Sequence, residues 1–373
     1  MNIPVSVLRN EEKAIFDLRS LYSRYGYSQY KMSKFEEYDL YVRNKDFLVS
    51  DNIITFTDTN GRLMALKPDV TLSIIKSSDK MVEGGGTYKV YYDENVYRTS
   101  ETTESFKEIT QVGLECIGDV DDYNIYEVLL LAAKSLRSIS ANFVLDVSDL
   151  DVIATLVEDA GVPASRRGEI LRLIGEKNAH GVRALCDECG IASEKLVRLI
   201  SAYGAPDKVI PVLREILPEE SVYLADRLEK ITSCVVKEGF YGHVNIDFSV
   251  TGNAKYYNGL VFKGFVAGLP TGILSGGQYD KLMTRMHRNS RAIGFAVYLD
   301  LLERLEEDGE DYDVDTLIVY EDNVALNAIG DAVSMLTANG KSVLAQRAVP
   351  EKLKYKQLVK LGERGMEILE NNA

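Results

Sequence analysis

Tyr256-Tyr257-Asn258-Gly259-Leu260-Val261-Phe262, followed by Gly276-Gly277-Gln278-Tyr279-Asp280, is the stretch that decides how this chain is read. Residues 256–266 have the aromatic and β-branched character of a strand, and residues 243–250 form another just before them. Two adjacent glycines beside such strands let a backbone run close to a ligand, because neither carries a Cβ. Outward from this pair the same alternation recurs. Residues 53–66 form two apolar strands around a turn at Thr59-Asn60-Gly61, and Asn-Gly between β-prone runs is a strong hairpin signal. Residues 89–98 and 106–118 alternate as strands around a polar loop at 99–105.

Helices are expected at residues 11–25, 69–80 and 121–138, where apolar residues recur with helical spacing. Residues 151–240 change character into short helical segments with polar breaks, such as Pro163-Ala164-Ser165 and Pro218-Glu219-Glu220, and so look like an insertion between two halves of a sheet. Residues 292–306 read as strand into helix. The acidic, glycine-containing stretch 306–313 marks a domain boundary. Beyond it a βαβα pattern is expected: strand 315–320, helix 323–339, strand 341–346 and helix 351–370. The fold class is α+β, in two parts, 1–305 and 314–373.

The composition narrows the function. The chain has 373 residues, 46% hydrophobic and 27% charged, which is the profile of a globular domain with a sizeable core. The longest apolar run, near residues 128–133, falls far short of the roughly 18–20 residues that cross a bilayer. Met1-Asn2-Ile3-Pro4-Val5 shows no basic region ahead of an apolar core, so a cytoplasmic location is expected. Fifty-seven acidic against 43 basic side chains give a formal charge of −14. Nucleic-acid binding depends on lysine and arginine displacing counterions from phosphates, so this balance weighs against it. Four cysteines make no disulfide framework. Cys186-Asp187-Glu188-Cys189 has the spacing of a metal knuckle or redox pair. A zinc site needs two more ligands, however, and His180, His243 and His287 show no partner spacing. The pair is read as two reduced thiols on a helix or turn, and neither metal nor cofactor is expected.

Five collinear segments resemble the histidyl-tRNA synthetase family. Leu66-Lys67-Pro68-Asp69-Val70-Thr71 resembles its Leu-Arg-Pro-Glu-Gly-Thr. Val96-Tyr97-Arg98 with residues 106–115 resembles the second motif of class II synthetases, and Ala292-Ile293-Gly294-Phe295-Ala296-Val297 the third. The tyrosine and glycine pairs lie between. The resemblance implies an antiparallel sheet flanked by helices and a pocket for histidine, a ligand that presents an ammonium, a carboxylate and an imidazole. Asp69, Thr71 and Gln111 would receive the ammonium. Glu115 and Tyr257 would meet the imidazole, with Tyr256, Gly276 and Gly277 around them. Gln111 and Glu115 are four apart on one strand and so share a face.

The departures from the family concern the nucleotide. Adenylation builds negative charge that fixed cations must offset. The family's arginine before the tyrosine pair is here Gly252, and the arginine of its third motif is Leu301. Tyr298 replaces a glycine that leaves room for the nucleotide. Arg98 remains, but the loop after it carries acids and no base. The C-terminal piece resembles only the opening of the family's anticodon-binding domain. This combination resembles a non-ligase branch, the regulatory subunits of ATP phosphoribosyltransferase. That resemblance implies a short catalytic subunit as partner, histidine as feedback effector, and a homodimer or higher assembly. The alternatives are a divergent histidine–tRNA ligase, or a synthetase-like binding protein that serves another enzyme.

Overall fold

The computed structural model describes residues 8–43, 53–82, 85–99, 105–252, 256–302 and 312–372. Most of the loop expected at 99–105, most of the acidic boundary at 306–313 and residues 303–306, the end of the segment expected to run from strand into helix, lie outside them. The chain divides into two compact units, residues 1–305 and 306–373.

In the first unit, α1 (Asn10–Arg24) buries Ala14, Leu18, Leu21 and Tyr22, one stripe at helical spacing. Next come β1 (Ser28–Gln29), β2 (Phe35–Glu37), α2 (Tyr38–Val42), and the hairpin of β3 (Thr55–Thr57) and β4 (Leu63–Leu66). Gly61 in that turn sits at φ 77°, in the left-handed region that glycine enters without strain. α3 (Thr71–Val82), β5 (Thr87–Thr99), β6 (Phe106–Gly118), α4 (Asp122–Ile139) and β7 (Phe143–Asp149) follow.

Residues 150–235 then run through α5 (Leu150–Asp159), α6 (Arg167–Gly175), α7 (Ala179–Cys189), α8 (Glu194–Ser201), the two-residue β8 (Tyr203–Gly204), α9 (Pro206–Ile216) and α10 (Val222–Val235). Cys186 and Cys189 lie on α7, with Cys186 buried in the core. The chain returns to the sheet with β9 (Val244–Asp247), β10 (Asn258–Val266) and β11 (Leu274–Gln278). α11 (Asp280–Arg285) and β12 (Arg291–Tyr298) complete the described part of this unit.

Among the described residues, nine strands make one sheet in the order β1-β5-β6-β12-β11-β10-β7-β9-β8. All neighbours are antiparallel except β1–β5 and β7–β9. The period-two alternation of β6 assigns its two faces. Val112, Leu114 and Cys116 join the main core with α1 and α4, while Gln111, Gly113 and Glu115 point the other way. α4 starts from a capping box of Asp121 and Asn124, and Val128 to Ala133 are buried on every side, as expected of a helix inside the core. The Tyr22 hydroxyl meets Ser135 Oγ at 2.9 Å and ties α1 to α4. On the opposite face α3 packs Leu72, Ile74 and Ile75 against Val90, Tyr92 and Ile117 in a second core that includes Tyr256 and Tyr279.

The second unit has β13 (Val314–Tyr320), α12 (Leu326–Ala338), β14 (Val343–Gln346), β15 (Tyr355–Gly362) and β16 (Gly365–Asn371), in the sheet order β14-β13-β15-β16. The helix expected at 351–370 is therefore corrected to a hairpin. Gly362 and Gly365 bracket its turn, Gly365 at φ 103°, which no helix accommodates. Val359 and Leu361, two apart on β15, bury on one face with Ile318.

Candidate functional site

The polar face of β6 is the floor of a cleft. Gln111, Gly113 and Glu115 pair across the ladder with Tyr298, Ala296 and Gly294 of β12, and with Glu94, Tyr92 and Val90 of β5. α3 enters from above with Asp69 and Thr71 at its first turn, and Tyr256, Tyr257 and Tyr279 close the side. The cleft spans about 570 Å³ with its open mouth included, of which only about 70 Å³ is enclosed, so a guest would sit close against its walls. It brings together Asp69, Thr71, Gln111, Glu115, Tyr256, Tyr257, Arg98 and Tyr298.

Glu115 is the centre. Thr71 Oγ1 donates to its Oε1 at 2.7 Å, and the Tyr279 hydroxyl donates to its Oε2 at 2.5 Å. The residue is 2% exposed, and burial pushes its carboxyl up to about 8, with nearby Asp69 adding to the effect and the two hydroxyl donors opposing it. Asp69 is also raised by burial, while the Leu72 amide, which donates to its Oδ1 at 3.0 Å, and the Arg98 charge draw it down. Tyr92, Tyr256, Tyr257 and Tyr279 are all held above their ordinary value, burial first among the causes, so their phenols stay neutral. The Tyr256 and Tyr257 rings meet edge-on at 4.6 Å, and Tyr256 lies 5.7 Å from Tyr279. Two buried carboxyls in a nest of phenols favour a cationic guest with a flat ring.

Arg98 is the one cation among the described lining residues, and it is engaged. Its Nε donates to the Pro68 carbonyl at 3.0 Å, and its guanidinium also hydrogen-bonds the Tyr298 hydroxyl.

Four residues expected at the site lie elsewhere. Gly277 is under the Tyr257 ring, where an added Cβ would come within 2.9 Å of Cδ1, and Gly276 makes room for Phe295 and Phe262 on the core face. Both therefore lie against aromatic rings and outside the lining of this cleft. Gly252 is outside the cleft at φ 55°, and a Cβ there would lie 3.0 Å from Tyr257 Cδ2. Leu301 packs against the main core.

The glycines that shape the cleft are Gly294 and Gly113. A Cβ at Gly294 would sit 1.8 Å from Glu115 Oε2, and one at Gly113 would sit 2.4 Å from the Tyr92 hydroxyl oxygen. Tyr92 and Tyr279 were the other site residues not singled out. The strand alternation that paired Gln111 with Glu115 also reaches Tyr92 and Gly294, once the register is known.

A nine-stranded, mostly antiparallel sheet with this cleft on its polar face and helices on both sides is the fold of class II aminoacyl-tRNA synthetases. Residues 6–302 match the histidyl-tRNA synthetase family, and the chain belongs to it. It is 26% identical over 353 residues to the ATP phosphoribosyltransferase regulatory subunit of Oceanobacillus iheyensis, covering 92% of this chain and 87% of that one. Among solved structures it is similar to an ATP phosphoribosyltransferase regulatory subunit/histidyl-tRNA synthetase from Bacillus halodurans. That match has a TM-score of 0.75 and 22% identity, and covers 97% of this chain and 100% of the other. A chain of the ATP phosphoribosyl transferase (HisG:HisZ) complex of Thermotoga maritima matches with a TM-score of 0.61 at 20% identity, covering 78% and 97%. No helix among the described residues is long and apolar enough to cross a membrane.

Proposed function

We propose that this chain is the regulatory subunit of an ATP phosphoribosyltransferase, required by a short catalytic subunit and carrying histidine feedback to the first step of histidine biosynthesis. The observation that carries the reading is the asymmetry of the cleft. Its amino-acid side gathers buried Asp69 and Glu115 with Thr71, Gln111 and the tyrosine pair, while on its nucleotide side the remaining cation is held by Pro68 and Tyr298. Relatives named as that subunit, matched over most of the chain, support the choice over a divergent histidine–tRNA ligase.

Histidine lies with its ammonium toward Asp69, Thr71 and Gln111 and its imidazole toward Glu115 and Tyr257. Inhibition requires histidine to prefer one state of the assembly, since equal affinity for two states shifts neither. The chain works in the cytoplasm as a homodimer or larger assembly bound to its catalytic partner, and catalyses nothing by itself.

The test is reconstitution with a short-form catalytic subunit. Phosphoribosyl transfer should depend on this chain. Histidine should inhibit the wild-type complex, and inhibition should need about ten- to a hundred-fold more histidine with Glu115→Ala, the cost of about 1.5–3 kcal/mol when an imidazolium draws Glu115 into its ionised form and the lost bond is charge-assisted. Full activity of the catalytic subunit alone, or unchanged inhibition with the variant, overturns the assignment.

A further inference from the structure

A second cavity lies beside the first cleft, and Tyr257 and Ser275 line both. It holds about 890 Å³, its mouth included, where the carboxyl end of α6 at Gly175 and residues 249–252 come over β7 and β10. Asp146 of β7 and Lys263 of β10 are direct partners across the antiparallel ladder, so both side chains leave the sheet on the cavity side. They do not neutralise each other. Lys263 turns its Nζ over the Phe265 ring, 5.5 Å from the centroid. Asp146, only 8% exposed, takes a long 3.4 Å contact from Asn245 Nδ2 on Oδ1.

The other acid of the cavity is already committed. Asp247 accepts from Lys177 Nζ at 2.7 Å and from the Ser249 amide at 2.9 Å. Burial, and then the Asp247 charge, hold the Asp146 carboxyl up to about 6, so it remains ionised at neutral pH. The floor thus presents a buried carboxylate with spare acceptor capacity and, a side chain away, an ammonium resting on an aromatic ring. Among the described residues only the Asn245 contact and the Lys177 charge offset the burial of Asp146, and a cationic group of a guest would add to them. The α6 terminus favours positive charge at the same place.

We propose that this cavity is a second small-molecule site that takes a compact zwitterion of the amino-acid class, its ammonium on Asp146 and its carboxylate on Lys263. The site is independent of the histidine reading of the first cleft.

The experiment uses the full chain and the proteinogenic amino acids, each at millimolar concentration, titrated calorimetrically with and without saturating L-histidine. One or more should bind with one-to-one stoichiometry while histidine is present. Asp146→Asn and Lys263→Met, which keep side-chain volume, should each weaken that binding by about tenfold or more, and Glu115→Gln should leave it unchanged. In wild-type spectra the bound ligand should move the amide signals of Val261 and Phe265 and leave Gly113 in place, a readout that needs no variant to fold. The proposal is overturned if no amino acid binds, if both cavity variants bind like the wild type, or if Glu115→Gln weakens binding as much as they do. Should histidine fail to bind the first cleft, the same variants still decide this question.

Discussion

Glu115 holds a proton in the folded protein that it would release at ordinary carboxyl values when unfolded, because burial has pushed it up to about 8. The folded state therefore binds more protons than the unfolded state between those two values, and stability falls as pH rises. The contribution is complete below about pH 4.5 and is lost as pH climbs through about 8, at a slope near 1.4 kcal/mol per pH unit within that window. Asp146 and Asp149, each raised to about 6, end their part earlier. Melting of wild type and Glu115→Gln from pH 5 to 8 should show a steeper decline for the wild type than for the variant, and parallel curves would contradict the burial argument. Gly294 enforces the same geometry. Gly294→Ala would place a methyl 1.8 Å from Glu115 Oε2, so it should cost about 1–3 kcal/mol in denaturant unfolding and abolish calorimetric histidine binding. At this scale the sequence disclosed which carboxyls and tyrosines share the cleft, but not which glycines border it. Gly276 and Gly277 attract notice as a pair, whereas Gly294 matters only through its register opposite Glu115.

Elements place these residues, and α3 does so with a carboxylate that has two tasks. Asp69 accepts from the Leu72 amide in the first turn of α3 and also faces the cleft. The tasks separate by substitution. Asp69→Asn keeps a good capping side chain, so unfolding free energy should hold within about 0.5 kcal/mol, whereas Asp69→Ala should lose about 0.5–2 kcal/mol. Both should weaken histidine binding in calorimetry if the charge meets the ammonium, and equal binding by wild type and Asp69→Asn would confine the residue to the cap. Elements with a clean period were legible from composition alone. β6 alternates, α4 carries the apolar run 128–133, and the hairpin at Gly61 carries its turn residues. The segment 351–370 was not, because lysine, glutamate and leucine mixed along it suit a helix. The pair Gly362 and Gly365, three apart, and the parallel seat of β15 beside β13 override that local preference.

At the scale of the molecule, five collinear segments made the fold legible, because their order constrains one sheet topology more tightly than any single motif could. What the sequence could not convey was which lost cation matters where. Gly252 and Leu301 are both departures from a ligase, yet neither lines the cleft. The loss is built into the surrounding packing, and this predicts that ligase chemistry cannot be restored one residue at a time. Gly252→Arg must force a side chain into a left-handed backbone at φ 55°, with its Cβ 3.0 Å from Tyr257. It should therefore disturb the tyrosine pair before it supplies any charge. Arg98 meanwhile stays engaged by the Pro68 carbonyl and the Tyr298 hydroxyl. Each missing donor to developing charge costs on the order of 10²–10³ in rate. Histidine-dependent exchange of pyrophosphate into ATP should accordingly be absent from wild type, from Gly252→Arg and from Gly252→Arg with Tyr298→Gly, and the first substitution should lower the melting temperature. Exchange by the wild-type chain at rates typical of ligases would show that Arg98 leaves its partners during turnover, and the protein would then be a working synthetase.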